Sequence, residues 1–341
     1  MLARGQQAPA AEIPWNEVGR NWFLALWQSS TRDDGPVSLF LVDPVGGRYL
    51  VHAWPAQTNV SLDDWSGDGH RVLLTGTGTA QVMDLASGAT QTVAGSPDIW
   101  GAGFTAPKGT NLALVVARPQ NGAGVAYLTR TDLAGGHPLI LGDGVQQWLY
   151  FPDGASLVVN GTGALRVIDN SGHQLRTIPA PSGQPCRPIR WWADHRLLVA
   201  CGSFELWLVP PGGGEPQRLT IAPAPADSPT TFGNSNIYAL GSDLYMQAEG
   251  PCGYGYLAKV NSDGTTTAVD VPGATDRGLR QVVLGTDGHN RLGLLATPPC
   301  ENNHSSSLSW FNPTTRRLDI LLGPGVNGGK VLGALEFPDL K

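Results

Sequence analysis

One line recurs along this chain: an aromatic residue or Leu, a short polar turn, then an apolar strand. It reads WSGDGHRVLL from Trp65, FTAPKGTNLALVV from Phe104, FPDGASLVV from Phe151 and WADHRLLVA from Trp192. It continues as LGSDLYMQA from Leu240 and LGTDGHNRLGLLA from Leu284, and a half-copy, FPDLK, starts at Phe337. The spacings are 39, 47, 41, 48, 44 and 53 residues. A fixed period of roughly 40–50 residues marks a stacked or circular repeat, and four-stranded propeller blades fall in that range.

A second hairpin follows within each unit. Its turns are VDPVGG, MDLASG, TRTDLAGG, IDNSGH, VPPGGG, VNSDG and FNPTT, flanked by alternating apolar residues as in SLFLVD and SLSWFN. Alternation marks half-buried strands, and Asp, Asn, Gly and Pro supply the turn geometry. Both counts give seven units. The first unit starts at its second strand, Asn21–Gln28, and the last is followed by an extra strand, Lys330–Phe337. The sequence therefore predicts an all-β, seven-bladed β-propeller of four-stranded antiparallel blades, closed by the C-terminal strand completing blade one. Such closure removes open sheet edges. The blades are expected near 20–55 (with 330–337), 58–95, 98–142, 144–180, 185–221, 233–273 and 278–323. Residues 1–18 read as a poorly ordered tether, and 19–341 as a single domain.

The Phe151-Pro152-Asp153-Gly154 line, with Trp65-Ser66-Gly67-Asp68-Gly69 as its next copy, resembles the repeat of TolB-like propellers, which are related to WD-type repeats. The resemblance covers about residues 20–341. It implies the fold and a binding or scaffold role, often in secreted proteins, while some related propellers are hydrolases. TolB itself has six blades and a second domain, a pattern from which this chain departs.

Composition agrees. The 45 glycines and 27 prolines make about a fifth of the 341 residues, and only 15% are charged. Gly and Pro at that density break helices, and 41% hydrophobic residues are too many for a disordered chain. Net charge is −6 without a basic cluster, so no nucleic-acid partner is expected. No apolar run reaches the ~18 residues of a membrane helix. The opening MLARGQQAPAAEIPW lacks the apolar stretch of a signal peptide and is similar to the tether that follows a removed signal or lipid anchor.

Four cysteines allow three pairings, and four buried thiols are the alternative. Cys186 and Cys201 flank a turn centred on Ala193-Asp194, so the hairpin sets them opposite each other, within disulfide reach. Cys252 and Cys300 occupy equivalent places after the second strands of blades six and seven, where a bridge would staple the two. Two disulfides imply an oxidising compartment, hence an extracellular or cell-envelope location.

Motifs for chemistry are sparse. G-x-S-x-G and H-E-x-x-H do not occur. Gly323–Gly328 matches G-x-G-x-x-G formally but precedes a strand rather than a helix. No C-x-x-C or H-x-x-x-H spacing suggests a metal, and neither catalytic residues nor a cofactor are expected. Asp63 and Asp64 form an acidic pair, read first as solvated or capped residues near a strand end. Trp100, Trp148 and Trp191 lie on first strands, where packing between blades competes with ligand stacking.

The connections between second and third strands carry the functional signal. They are short in blades two, four and five (TGTG, NGTG, CGSF). They are long in blade one (QSSTRDDGP), blade six (EGPCGYGY) and blade seven (TPPCENNHSSS), with RPQNGAG in blade three. In a closed ring blades six, seven and one adjoin. Long loops on a rigid scaffold concentrate binding residues. The expected recognition ledge comprises Arg32, Asp33, Asp34, Tyr254, Tyr256, Glu301, Asn302, Asn303 and His304. The sequence thus reads as a monomeric binding or scaffold propeller meeting a protein or glycan partner through one loop face. The alternative is a propeller hydrolase, such as a lactonase or glycan-active enzyme.

Overall fold

The computed structural model describes residues 1–338 except 33, 77–78, 94–98, 121–122, 162, 204, 221–232, 250–254, 274–279 and 298–305. It is a seven-bladed β-propeller of antiparallel sheets. A short N-terminal strand, β1 (Gln7–Pro9), precedes blade one's β2 (Phe23–Gln28), β3 (Val37–Val42) and β4 (Arg48–Trp54). Blade two holds β5 (Ser61–Trp65), β6 (Arg71–Gly76), β7 (Thr79–Asp84) and β8 (Thr90–Val93). Blade three holds β9 (Ile99–Phe104), β10 (Leu112–Gln120), β11 (Ala123–Thr131) and β12 (Leu139–Asp143). Blade four holds β13 (Trp148–Tyr150), β14 (Ser156–Val159), β15 (Ala164–Asp169) and β16 (Gln174–Pro179). Blade five holds β17 (Cys186–Trp191), β18 (Leu197–Cys201), β19 (Glu205–Val209) and β20 (Gln217–Thr220). Blade six holds β21 (Gly233–Leu240), β22 (Asp243–Glu249), β23 (Gly255–Val260) and β24 (Thr266–Ala268). Blade seven holds β25 (Arg280–Thr286), β26 (Leu292–Thr297), β27 (Ser307–Asn312) and β28 (Arg317–Leu322). The last strand, β29 (Lys330–Glu336), pairs antiparallel with β2 from Phe23↔Glu336 to Gln28↔Lys330 and completes blade one, as the sequence predicts.

Two compact units make up the chain, Met1–Ser61 with Thr220–Phe337, and Leu62–Leu219 with Pro338–Lys341. In the first, Tyr238, Tyr245 and Leu257 of blade six pack on Leu292, Leu294 and Phe311 of blade seven. Leu308 and Trp310 then pack on Phe23, Ala25 and Phe40 of blade one. In the second, Leu73 and Val82 meet Phe104 and Leu112, Val115 and Leu128 meet Tyr150 and Leu157, and Val167 and Ile178 meet Val199 and Val209. The blade-four sheet lies between those of blades three and five, so β14 (Ser-Leu-Val-Val) sends Leu157 and Val159 into one cluster and Val158 into the other and reads as a continuous apolar run.

The recurrent Asp-Gly turn has two physical causes. Gly154 has φ +70°, and a Cβ there would run into the Ala106 carbonyl of the neighbouring blade's turn. The Asp side chains organise the turns from within. Asp287, buried in blade seven, accepts the N–H groups of His289, Asn290 and Arg291 at 2.9, 3.0 and 3.0 Å. Burial pushes its carboxyl up, but the Arg291 guanidinium and these three N–H groups outweigh it and hold it below the usual range. At the half-buried Asp169, the Ser171 hydroxyl and the N–H groups of Ser171 and His173 bring the carboxyl to about 2.

Residues 1–18, expected as a tether, carry β1, which runs parallel to β4 from Gln7↔Arg48 to Pro9↔Leu50 and makes blade one five-stranded. The buried Asp43 of the β3–β4 turn anchors the approach by accepting the Leu2 N–H at 3.0 Å, while Asn327 donates to the Gly5 carbonyl at 3.3 Å. The added strand covers part of an edge that would otherwise present unpaired N–H and C=O groups.

Register shifts recur in the first strands. One residue is left out of the ladder at Leu332, Trp100, Ile189, Ser235 and Leu284, in blades one, three, five, six and seven. Such bulges bend the strand and re-aim the extra side chain.

Candidate functional site

The expected ledge lies in the first unit. Of its residues, Asp33, Tyr254, Glu301, Asn302, Asn303 and His304 fall outside the described residues, as do Cys252 and Cys300. Arg32 and Asp34 are exposed on the β2–β3 connection. Tyr256 is placed by its backbone in β23, opposite Ala248.

The β2–β3 connection has a fixed base. Ser29 N–H donates to the Pro36 carbonyl at 3.2 Å, and the Gln28 side-chain amide, 4% exposed, donates to the Gly35 carbonyl at 3.0 Å. Arg32 N–H is received by the Ser30 hydroxyl at 3.1 Å. A Cβ at Gly35 would stand 2.8 Å from both Ser29 Oγ and Ser30 N, so the loop closes this tightly only on glycine. Beside the base, Trp27 Nε1 donates to the Gly328 carbonyl at 3.0 Å, fixing β2 to the segment that leads into β29. Among the described residues of the loop, the Arg32 and Asp34 side chains are exposed, above a base held by the Ser29, Gln28 and Arg32 hydrogen bonds.

The first strands of blades two to four hold a second cluster. Asp64 is 9% exposed and works as a bridge. One oxygen accepts the Trp65 N–H at 2.9 Å, and the other accepts the Phe104 N–H of blade three at 2.7 Å. This capped role is the one expected for the pair. Asp63 meets solvent, and desolvation by the surrounding chain lifts its carboxyl above the ordinary range against a hydrogen bond with Thr75, with the neighbouring Asp64 charge adding to the rise.

The three tryptophans of these strands divide. Trp191 donates to the Tyr150 carbonyl at 2.6 Å and its ring centre lies 4.6 Å from that of Phe151, so it packs blade five on blade four. The Trp148 ring spreads over the side-chain-free backbone of β9, 3.7 Å from a Cβ position at Gly101 and 3.3 Å from one at Gly103. Trp100 does neither. Gly101 pairs with Val115 and Ile99 with Val116, so Trp100 is the bulged residue, and it is 60% exposed. The sequence signal was the run Trp-Gly-Ala-Gly, a large ring beside two residues that leave a strand bare. Among the described residues, no group of three or more His, Cys, Asp or Glu side chains is placed to hold a metal ion, and no helix is long and apolar enough to cross a membrane.

No protein-family model matches the chain, and no curated protein matches it. Solved structures do. The dihydro-heme d1 dehydrogenase NirN is similar at 14% identity over 93% of this chain and 75% of its own, with a TM-score of 0.54. A puromycin-hydrolyzing peptidase of Mycobacterium tuberculosis is similar at 16% identity and a TM-score of 0.52, over 94% of this chain, which spans 56% of the peptidase. The β-propeller domain of the Trilobed protease from Pyrococcus furiosus matches at 10% identity over 89% of this chain and 99% of that domain, with a TM-score of 0.52. A TolB-type structure from Agrobacterium tumefaciens is also among the matches, with a TM-score of 0.43. At these identities the likeness is one of fold, and the fold is the β-propeller. The Pyrococcus domain is described as having an open velcro topology, whereas here β29 supplies blade one's first strand.

Proposed function

We propose that this protein is a binding or scaffold propeller of the cell exterior or envelope, recognising a protein or glycan partner through the long connections of blades six, seven and one. The observation that supports this most is the β2–β3 connection, which presents Arg32 and Asp34 to solvent from a clamped base. Pre-organisation of this kind reduces the ordering cost of association. Tyr254, Tyr256 and His304 extend the same surface in this reading. The disulfide Cys186–Cys201 supports an oxidising compartment.

The test compares the native chain with Arg32→Ala/Asp34→Ala and with Tyr254→Ala/His304→Ala, each immobilised and exposed to envelope extract, culture medium and a glycan array. The expected result is a partner retained by the native chain and released at least tenfold more readily by both variants, with melting temperatures unchanged in each. Equal retention by all three proteins contradicts the reading. So does steady turnover of ester, peptide or glycoside substrates, which would favour a hydrolase.

A further inference from the structure

Residues 1–9 lie across the seam where the last blade meets the first. On blade one, Leu2 N–H donates to the buried Asp43 carboxylate at 3.0 Å, Gly5 N–H to the Gly46 carbonyl at 2.9 Å, and Arg48 N–H to the Gln6 carbonyl at 3.0 Å. Arg48 Nε also donates to the Gln7 side-chain oxygen at 3.0 Å. Across the seam, Arg4 stands 3.6 Å from Asp319 of β28, and Asn327 donates to the Gly5 carbonyl at 3.3 Å. A Cβ at Gly5, whose φ is +77°, would sit 3.3 Å from Val326. Val326 and Asn327 belong to the connection that carries the chain from β28 into β29. The next residue, Gly328, accepts the Trp27 indole N–H at 3.0 Å, and a Cβ at Gly329 would run into the Gln28 carbonyl. Trp27 and Gln28 end β2, and the Gln28 side-chain amide holds the root of the β2–β3 connection. A continuous line of contacts thus runs from the N-terminal segment, through residues 326–329, to the loop that carries Arg32 and Asp34.

We infer that residues 2–9 act as a detachable latch, whose docking fixes the 323–329 connection and, through it, the entry of β29 and the root of the β2–β3 loop. The latch is held far more lightly than the closing strand. Of residues 1–9 only Ala8 is buried, and β1 pairs over three residues at a sheet edge. An exposed ion pair such as Arg4–Asp319 contributes little. β29, by contrast, pairs at six positions and buries Val331 and Ala334. Segments with few buried apolar contacts open locally at a fraction of the global stability, so the latch releases while the blades stay folded. Release takes the acceptor from Asn327, uncovers the β4 edge from Arg48 to Leu50, and loosens residues 323–329 where they meet Trp27. The latch thereby sets how ordered the β2–β3 loop is before a partner arrives, and ordering on binding weakens association. That last step rests on the reading of this loop as a recognition surface, whereas the latch itself does not.

The test is hydrogen exchange read at single amides of the full chain, with no partner present. Two variants act at different points. Ala8→Glu puts an unpaired charge at the buried position of β1 and should undock the segment. Asn327→Ala cuts the link to Gly5 while leaving the contacts of the segment with blade one in place. In Ala8→Glu, the amides of Leu2 and Gly5 should exchange at least tenfold faster than in the native chain. So should those of Ser29 and Val331, which donate to the Pro36 and Ser306 carbonyls. In Asn327→Ala, Ser29 and Val331 should again exchange faster while Leu2 keeps its native rate. The amides of β14 in blade four should be unchanged in both. If Ala8→Glu does not fold, Asn327→Ala decides alone. Native rates at Ser29 and Val331 in a folded variant overturn the proposal, because the segment is then only a cover for the β4 edge. Native rates at Leu2 and Gly5 in folded Ala8→Glu overturn it too, because the segment then does not detach. Exchange without a partner reports on the latch alone, so its failure is distinct from a failure of partner recognition.

Discussion

A chain that stops at Gly329 is expected to lose its cooperative unfolding transition, or to show it at least 10 °C lower, when followed by circular dichroism or calorimetry. The strand removed is blade one's first. Its loss would strip β2 of its ladder from Phe23 to Gln28 and remove Val331 and Ala334 from the cluster that also holds Phe23, Ala25, Leu308 and Trp310. Burying a Val side chain contributes about 1.5–3 kcal/mol, and each buried N–H or C=O left without a partner costs about 1–3 kcal/mol. Six opposed residue pairs are involved, so the sum is comparable with the whole stability of an ordinary domain, about 5–15 kcal/mol. The bare edge of β2 would also promote aggregation. The hydrogen bonds from Val331 N–H to the Ser306 carbonyl and from Phe337 N–H to the Trp22 carbonyl would go as well, loosening blade seven and the entry to blade one. An unchanged transition would show that blade one does not depend on this strand.

The second large effect is expected from the Cys186–Cys201 disulfide, which joins directly opposed residues of β17 and β18. Replacing both cysteines with Ala leaves no buried thiol at these two positions. It removes a cross-link with a sequence separation of 15 residues, worth ~3 kcal/mol on the chain-entropy model. With an unfolding entropy of about 2.1 cal/mol/K per residue, that corresponds to a fall of about 4 °C for a chain of this length. Both side chains sit in the cluster between blades four and five, with Val199, Leu197 and Val209. Loss of their packing adds to the fall. Adding reductant to the native chain should lower the transition likewise, and by more than it lowers that of the double Ala variant. A native chain indifferent to reductant would contradict the assignment.

The architecture was legible because it is repetitive. The anchors Trp65, Phe104 and Phe151 and their following turns recur in register, and each local choice of Gly, Asp or Pro agrees with the same blade. The pairing of Cys186 with Cys201 followed from the same arithmetic, because an antiparallel hairpin fixes which residues face each other. Two features were not legible. The strand Gln7–Pro9 is too short and too irregular in pattern to announce itself, and its place is set by tertiary partners such as Asp43 and Asn327. The exposure of Trp100 depends on a one-residue slip against β10, and periodicity alone assigns a bulged residue to the wrong face. The acidic pair Asp63–Asp64 looked uniform in sequence, yet one member bridges two blades through backbone N–H groups and the other meets solvent. The recognition ledge rested on loop length, a property that departs from the repeat and therefore has no repeat to define its geometry.

The most direct test of the account is a cross-link between the two ends of the chain. Ala25 of β2 and Ala334 of β29 are directly opposed and both are buried. In the variant Ala25→Cys/Ala334→Cys, oxidised and digested without reduction, mass spectrometry should recover one peptide joining position 25 to position 334, beside the one joining Cys186 to Cys201. The oxidised protein should melt above its reduced form. Recovery of position 334 as a free thiol, or joined to any other cysteine, would contradict a propeller whose first blade is finished by its last strand.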